Sequence, residues 1–399
     1  TGSLAVSHSD GALVGTECNG TITRTYTITD ACGNSTDVDQ VFTVTDDTVP
    51  TITNCPDEIE VYADAGSCTA SVTFGGATAT DNCDPAPAIT YWIGGTQITS
   101  PYTFPGGVTT VTVKAKDACN NVNDTCTFTV TVLAYNEMLV GVQLKGMSTS
   151  GTLTRCITFT LYKCFPTATW VTENEDITFT NGLATNVPLL VTCNTAPYTC
   201  ITARDKLHTL RRIDEGFTII DAQYVADFTG DDWLIGGNLN DDDWIDIVDF
   251  GIYVNRWATH YDSDGDTVDD GNTPCAWTPT PKGPYHADIS GDGSVATGDF
   301  TYIQQNFLAE SEANCCSLPF TGEGPRTEIS VAELRQLGLG ELVTADLNAD
   351  GWLDQDDVVA FLEGARPRPR PQPRPRPVPA PLPTADPQGM APTQTEESE

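Results

Sequence analysis

The sequence predicts a mainly β protein of tandem β-sandwiches, followed by a small α-helical region and a disordered proline-rich tail, and three observations predict it. Residues 20–34, GTITRTYTITDACGN, align without gaps on residues 107–121, GVTTVTVKAKDACNN, so one alternating unit occurs twice. An acidic twelve-residue pattern recurs at residues 238–249, 288–299 and 346–357, each time ahead of apolar residues at helical spacing. Beyond residue 364 the alternating prolines of ARPRPRPQPRPRPVPAPLP dictate extended polyproline II.

Alternating strands joined by Gly, Asn and Asp turns suit a sandwich, with one face of each strand packed and the other wet. After a one-residue slip, Phe42 and Val44 match Phe128 and Val130, so both copies end in such a strand. The second copy is complete, running from Asp47 through Pro50, Cys55, Phe74, Cys83, Phe104 and Cys119 to Val130. It resembles the HYR (hyalin repeat) module, an immunoglobulin-like fold of extracellular adhesion proteins. Residues 47–133 are therefore expected to form one HYR domain, and residues 1–46 the C-terminal part of a truncated repeat whose missing strands expose sheet edges. The resemblance implies two disulfides, Cys55 with Cys126 and Cys83 with Cys119. Asn120 stands where the module has glycine, and asparagine tolerates the left-handed backbone nearly as well. Cys18 and Cys32 flank a strand about 30 Å long, which predicts partners upstream of Thr1, while Cys68 has no evident mate.

Residues 138–228 alternate again, in MLVGVQL, CITFTLYKC, DITFTNG and YTCITARD, and predict a second sandwich of immunoglobulin-like or prealbumin-like type. Trp170, Tyr162 and Tyr198 either stack on carbohydrate or simply fill the core and edges.

The acidic pattern places oxygen wherever a calcium loop needs it. A hard cation of this size takes six to eight oxygens from a chain that curls around it, at loop positions 1, 3, 5, 7, 9 and 12. The first loop offers Asn238, Asn240, Asp242, the carbonyl of Trp244, Asp246 and Asp249. The second offers Asp288, Ser290, Asp292, the carbonyl of Ser294 and Asp299. The third offers Asp346, Asn348, Asp350, the carbonyl of Trp352, Asp354 and Asp357. Position 8 supplies an apolar anchor in Ile245, Val295 or Leu353; position 6, which favours glycine, holds Gly293 and Gly351 but Asp243 in the first loop. Phe250, Tyr253, Val254 and Trp257, then Phe300, Ile303 and Phe307, then Val358, Phe361 and Leu362 predict the following helices. With Asp at position 12 and no clear entering helix, these units resemble dockerin type I repeats. That resemblance implies a dockerin-like domain over residues 229–310, a third repeat over 326–364, and a cohesin-like or other cell-surface protein as partner. Between the first two loops, Asp262, Asp264, Asp266, Asp269 and Asp270 resemble the aspartate repeats of thrombospondin type 3 segments; they hold a further calcium or form a flexible acidic linker.

A formal charge of -36 over 399 residues makes a compact fold repel itself unless cations bind, and it excludes nucleic acid as a partner. The fourteen cysteines show no zinc spacing and fit disulfides made in an oxidising compartment. No stretch of 18 apolar residues spans a membrane, and export is expected through a signal peptide upstream of Thr1. His8, His208, His260 and His286 are scattered, no hydrolase or nucleotide motif appears, and the His208–Asp205 pair reads as a structural contact. The chain is therefore expected to be non-catalytic, with any catalytic domain upstream. Two functions fit: adhesion or surface attachment through the calcium repeats, or the noncatalytic C-terminal part of a secreted polysaccharide-degrading enzyme. Arg366, Arg368, Arg370, Arg374 and Arg376 fall in the tail, residues 365–399, as a solvated spacer or a recognition segment. Chelation is expected to loosen residues 226–363 and leave the sandwiches folded.

Overall fold

The computed structural model describes residues 2–146, 151–194, 196–262, 270–278, 284–313, 315–317 and 324–367. The chain is mainly β, and its α-helices are confined to the C-terminal third of the described residues. The repeated sequence becomes a repeated hairpin. Strand Asn19–Thr29 pairs with Ser35–Thr45, and Gly107–Lys116 pairs with Val122–Gln143, all antiparallel. The turn is built identically in both copies: Asp30 accepts the N–H groups of Cys32 and Asn34, as Asp117 accepts those of Cys119 and Asn121. Asn120 adopts a φ of +73°, the left-handed conformation that Gly33 adopts at +88° in the first copy. The first copy is a single four-stranded sheet, and Val6, Val14, Val38 and Val41 lie exposed on it.

The second copy closes around Phe74, Phe104, Val111, Val113, Phe128 and Val130. Along Gly107–Lys116 the buried Val111, Val113 and Ala115 alternate with partly or wholly exposed neighbours, as a strand with one dry face requires. Sequence reasoning puts a boundary at 133–138, but the chain does not break there. The 22-residue strand Val122–Gln143 runs from one sandwich into the next. Its first half pairs with Gly107–Lys116 and, in parallel, Ile59–Ala63; its second half pairs with Leu183–Thr192 and, in parallel, Gln223–Phe228. Asn136 sits at the handover, fully buried, with Nδ2 within 3.0 Å of the carbonyls of Ala63, Asp64 and Ser67. The second sandwich packs Met138, Val140, Ile157, Phe159, Leu161 and Phe179 into a core of its own.

Among the described residues four α-helices follow: α1 (Ile247–Arg256), α2 (Thr297–Gln305), α3 (Val331–Gln336) and α4 (Gln355–Leu362). Phe250, Tyr253, Phe300 and Phe361 form one aromatic cluster, so the third repeat shares a core with the first two instead of folding apart. Of the residues at helical spacing, Phe307, two residues beyond α2, and Leu362, the last residue of α4, lie exposed. Arg366, assigned by sequence to the disordered tail, is part of the fold: its guanidinium lies 4.7 Å from the Trp257 ring centre and 4.5 Å from that of Phe361. Arg368, Arg370, Arg374 and Arg376 lie outside the described residues.

Six disulfides cross-link the described residues, and Cys55 is bridged to Cys126. The expected pair Cys83 with Cys119 is corrected: Cys119 bonds to Cys18, which the first sheet brings to the Asp117 turn, and Cys83 is a free, exposed thiol. Cys32 is likewise free and exposed, and Cys68 bonds to Cys193 in the second sandwich. Cys156–Cys275, Cys164–Cys316 and Cys200–Cys315 all join the second sandwich to the helical region.

Asn136→Ala should remove the amide that serves three carbonyls, those of Ala63, Asp64 and Ser67, without altering the strand. It is expected to destabilise the protein by about 1–3 kcal/mol, read from denaturant unfolding under oxidising conditions. A loss within 0.3 kcal/mol of zero, on the order of a surface substitution, would contradict this role.

Candidate metal centres

The three acidic loops fold alike because the same side chains tie the same backbone groups. Each position-12 aspartate is fully buried at the start of a helix: Asp249, Asp299 and Asp357. One oxygen accepts an N–H from the loop's second or third residue, namely Leu239, Ser290 or Leu347. The other accepts the position-9 N–H of Asp246, Ala296 or Asp354. Each position-5 aspartate, Asp242, Asp292 or Asp350, accepts the position-7 N–H of Trp244, Ser294 or Trp352. The anchors Ile245, Val295 and Leu353 are buried in the common core. The first two loops exchange partners: Ile245 pairs with Leu308 and Ala309 after α2, and Val295 pairs with Ala258 and Thr259 after α1. Leu353 pairs with Ile329.

Position 4 is the left-handed residue common to all three loops, with φ of +60° at Asp241, +76° at Gly291 and +64° at Ala349. The sequence pattern points to position 6 instead. There Gly293 and Gly351 are left-handed at +87° and +97°, but Asp243 is not, and its carboxylate instead pairs with Arg211 at 3.0 Å. Asp246 and Asp354, expected as position-9 ligands, are helix N-caps. Both oxygens of Asp246 are already engaged, by the N–H groups of Val248 and Arg326.

The donor set fits a divalent cation on two observations. Position-1 oxygens Asn238 Oδ1 and Asp346 Oδ1 are buried without a hydrogen-bond partner, which is costly unless something else accepts them. Burial also pushes the Asp249 carboxyl well above its ordinary value; burial and the neighbouring Asp288 push Asp299 up to about 7. Carboxylates so buried are favourable as anions only beside a positive charge. In the second loop Asp288 is satisfied by the loop itself, accepting from Ser290 Oγ and the N–H groups of Gly291, Asp292 and Gly293. Ser290, Asn240 and Asn348 keep to their loops as well, the two asparagines donating to Asp242 and Asp350. Of the aspartate-rich insertion, Asp264, Asp266 and Asp269 lie outside the described residues, and Asp262 is exposed. Asp270 holds Asn272, whose Oδ1 in turn accepts the Thr154 N–H of the sandwich.

The second loop rests on a polar cluster that the sequence did not announce. Arg155, on strand Thr152–Lys163, is fully buried; its Nη2 donates to the Asp288 carbonyl at 3.0 Å and its Nη1 to Thr273 Oγ1 at 3.2 Å. Nη1 also lies 2.7 Å from the His208 ring, whose Nδ1 bonds to Asp205 at 2.6 Å and whose Nε2 lies 2.9 Å from His286. All of these groups are buried, and the His208–Asp205 pair is one contact in this network. Around it Arg204, Arg211 and Arg212 pair with Asp241, Asp243 and Glu312 at 2.9–3.0 Å. The run ARDKLHTLRR, residues 203–212, is thus the cationic seat of an acidic region, a signal its three arginines offered. Of the aromatic candidates for carbohydrate, Tyr198 is core, its hydroxyl donating to the Thr192 carbonyl. Tyr162 and the 60% exposed Trp170 are paired on neighbouring strands.

Residues 45–132 match the HYR domain, and residues 10–44 match an HYR-like domain with 4 cysteines. No curated protein matches the chain. Among solved structures, the fibronectin(III)-like modules of Clostridium thermocellum CbhA share 18% identity over 29% of this chain and 63% of theirs, at a TM-score of 0.18. Drosophila N-cadherin EC1-3 shares 13% over 54% of this chain and 78% of its own, at 0.20. A Ca2+-stabilized adhesin with which an Antarctic bacterium binds ice shares 18% over 52% and 57%, at 0.18. This chain therefore spans less than two thirds of the CbhA and adhesin chains. The HYR match and six disulfides mark an extracellular protein, and among the described residues no helix is long and apolar enough to cross a membrane.

Burial, with the Arg155 charge beside it, holds the His208 imidazole below its ordinary 6.5; burial, His208 and Arg155 hold His286 well below it. Both rings should keep neutral-imidazole NMR shifts at pH 6.5, where an ordinary histidine is half charged. Their stabilising contribution is complete above pH 6.5 and lost as pH falls below it, because only the unfolded chain then takes up the protons. Asp249 and Asp299 act in the opposite sense in metal-free protein, so ring shifts are the cleaner readout. Rings that titrate with a midpoint at or above 6.5 would contradict this environment.

Proposed function

We propose that this chain is a non-catalytic, extracellular, calcium-binding protein of adhesion or surface attachment, with its HYR-type and second sandwiches as the stalk and its calcium repeats as the attachment end. The observation that carries the reading is the pairing, within one loop, of a fully buried position-12 aspartate with a buried, partnerless position-1 oxygen, found at Asp249 with Asn238 and at Asp357 with Asp346. Calcium supplies the missing charge and accepts those oxygens. The ligands would be the position 1, 3, 5 and 12 side chains with the position-7 carbonyl. An apolar groove of about 630 Å³ lies beside α2 and α4, with Phe307, Leu308, Val359 and Leu362 at its exposed rim. Calcium bound at the head of each helix would fix the walls of that groove, the face offered to a cohesin-like or other cell-surface protein. The HYR match supports the adhesion side of the reading.

The test is calorimetric titration of the whole chain with calcium, since three disulfides bind the helical region to the sandwich and a 226–363 fragment would lose them. Asp249→Asn, Asp299→Asn and Asp357→Asn should each lower the number of bound ions by one. At millimolar calcium, sites of the extracellular class of about 10⁻⁴–10⁻³ M should each stabilise the fold by about 0.4–1.4 kcal/mol. No uptake of calcium at millimolar concentration, or uptake that none of the three variants lowers, would overturn the proposal.

A further inference from the structure

A second kind of cation site lies far from the loops, where the first repeat meets the second. Asp46 follows strand Ser35–Thr45 in the connection between the repeats, Asp81 follows Thr78–Thr80, and Asp117 opens the turn after Gly107–Lys116. One carboxylate oxygen from each lies within 4.8 Å of the other two. Asp46 is 6% exposed and Asp117 4%, and Asp81 is partly buried. Among the described residues none of the three takes part in an ion pair.

Their hydrogen bonds leave a definite gap. Asp46 Oδ1 accepts the Thr48 N–H, and Asp81 Oδ1 accepts those of Cys83 and Asp84. Asp117 accepts the N–H groups of Cys119 and Asn121 and the Asn121 side-chain amide. Asp46 Oδ2 and Asp81 Oδ2, both buried, have no partner. Three like charges packed this closely repel one another, and two buried oxygens without donors add a desolvation cost. The equivalent turn of the first repeat isolates the cause. Asp30 makes the same turn bonds as Asp117, yet it belongs to no such group. The extra carboxylates come from the connection and from the 81–84 turn, which the first repeat's turn lacks.

We infer that Asp46, Asp81 and Asp117 bind a calcium ion that ties the connection between the repeats to two turns of the second repeat. An all-oxygen, anionic donor set selects a hard divalent cation, and the irregular geometry of a connection and two turns suits calcium better than magnesium, which demands a near-ideal octahedron. The Cys18–Cys119 disulfide, two residues from Asp117, clamps the same junction covalently. This site does not depend on the calcium loops, and either can fail alone.

Hydrogen exchange of the whole chain, with calcium chloride or with chelator, tests the inference peptide by peptide. For a site of about 10⁻⁴ M, 1 mM calcium should slow exchange about tenfold at residues 46–48, 81–84 and 117–121. In Asp46→Asn that protection should vanish while residues 238–249 and 346–357 respond as before. Because the isosteric amide also relieves repulsion, the variant in chelator should be at least as protected at the junction as the parent. Protection that persists unchanged in Asp46→Asn would overturn the site. So would a junction that ignores calcium but gains protection on acidification, since the carboxylates would then share a proton instead.

Discussion

A single buried cation holds the two halves of this molecule in register. The Arg155 guanidinium has no water to turn to, so each of its donors must find an oxygen or nitrogen inside the protein. The sandwich supplies Asp205 and His208, and the helical region supplies Thr273 Oγ1 and the backbone carbonyl of Asp288. The first residue of the second acidic loop is thereby fixed to a sheet strand. Neither surface is satisfied without the other. The neighbouring Cys156–Cys275 disulfide and the backbone pairing of Cys156 with Thr273 make the same junction covalent and sheet-like.

The same logic governs the rest of the charge. A chain at -36 cannot bury aspartates freely, and it meets the difficulty by three devices. Arg204, Arg211 and Arg212 are concentrated in one segment beneath the first loop. Aspartates at turns and helix starts receive backbone N–H groups, as at Asp117, Asp246 and Asp354. Where neither suffices, oxygens are left without donors, at Asn238, Asp346, Asp46 and Asp81. These leftovers are the places where a metal ion changes the energetics most.

Much of this was legible in the sequence because it is local. Period-two alternation, the DACGN and DACNN turns and the loop spacing depend on neighbours within a dozen residues, and the hairpins, the left-handed Asn120 and the anchors Ile245, Val295 and Leu353 follow from them. What stayed hidden was long-range. Cys18 and Cys119 are joined by the way repeats stack, which no spacing within one repeat encodes, and Cys68 finds its mate in another sandwich. Arg155 reads as an ordinary alternating strand residue until the 273 and 288 segments are folded against it. Asp46, Asp81 and Asp117 look like three unrelated turn aspartates. Asn136 is hidden for the opposite reason: a polar residue between two strand runs resembles a linker, whereas its amide replaces the hydrogen bonds that a turn would otherwise lack.

The uninterrupted strand Val122–Gln143 has a mechanical consequence. Two domains joined by a flexible connector swivel under tension, and the connector yields first. Here a pull along the chain enters one ladder and leaves through another on the same backbone segment, loading the cross-strand bonds in shear, with Cys55–Cys126 and Cys68–Cys193 bracing either side. The pair of sandwiches should therefore behave as a stiff rod that keeps its length when tugged.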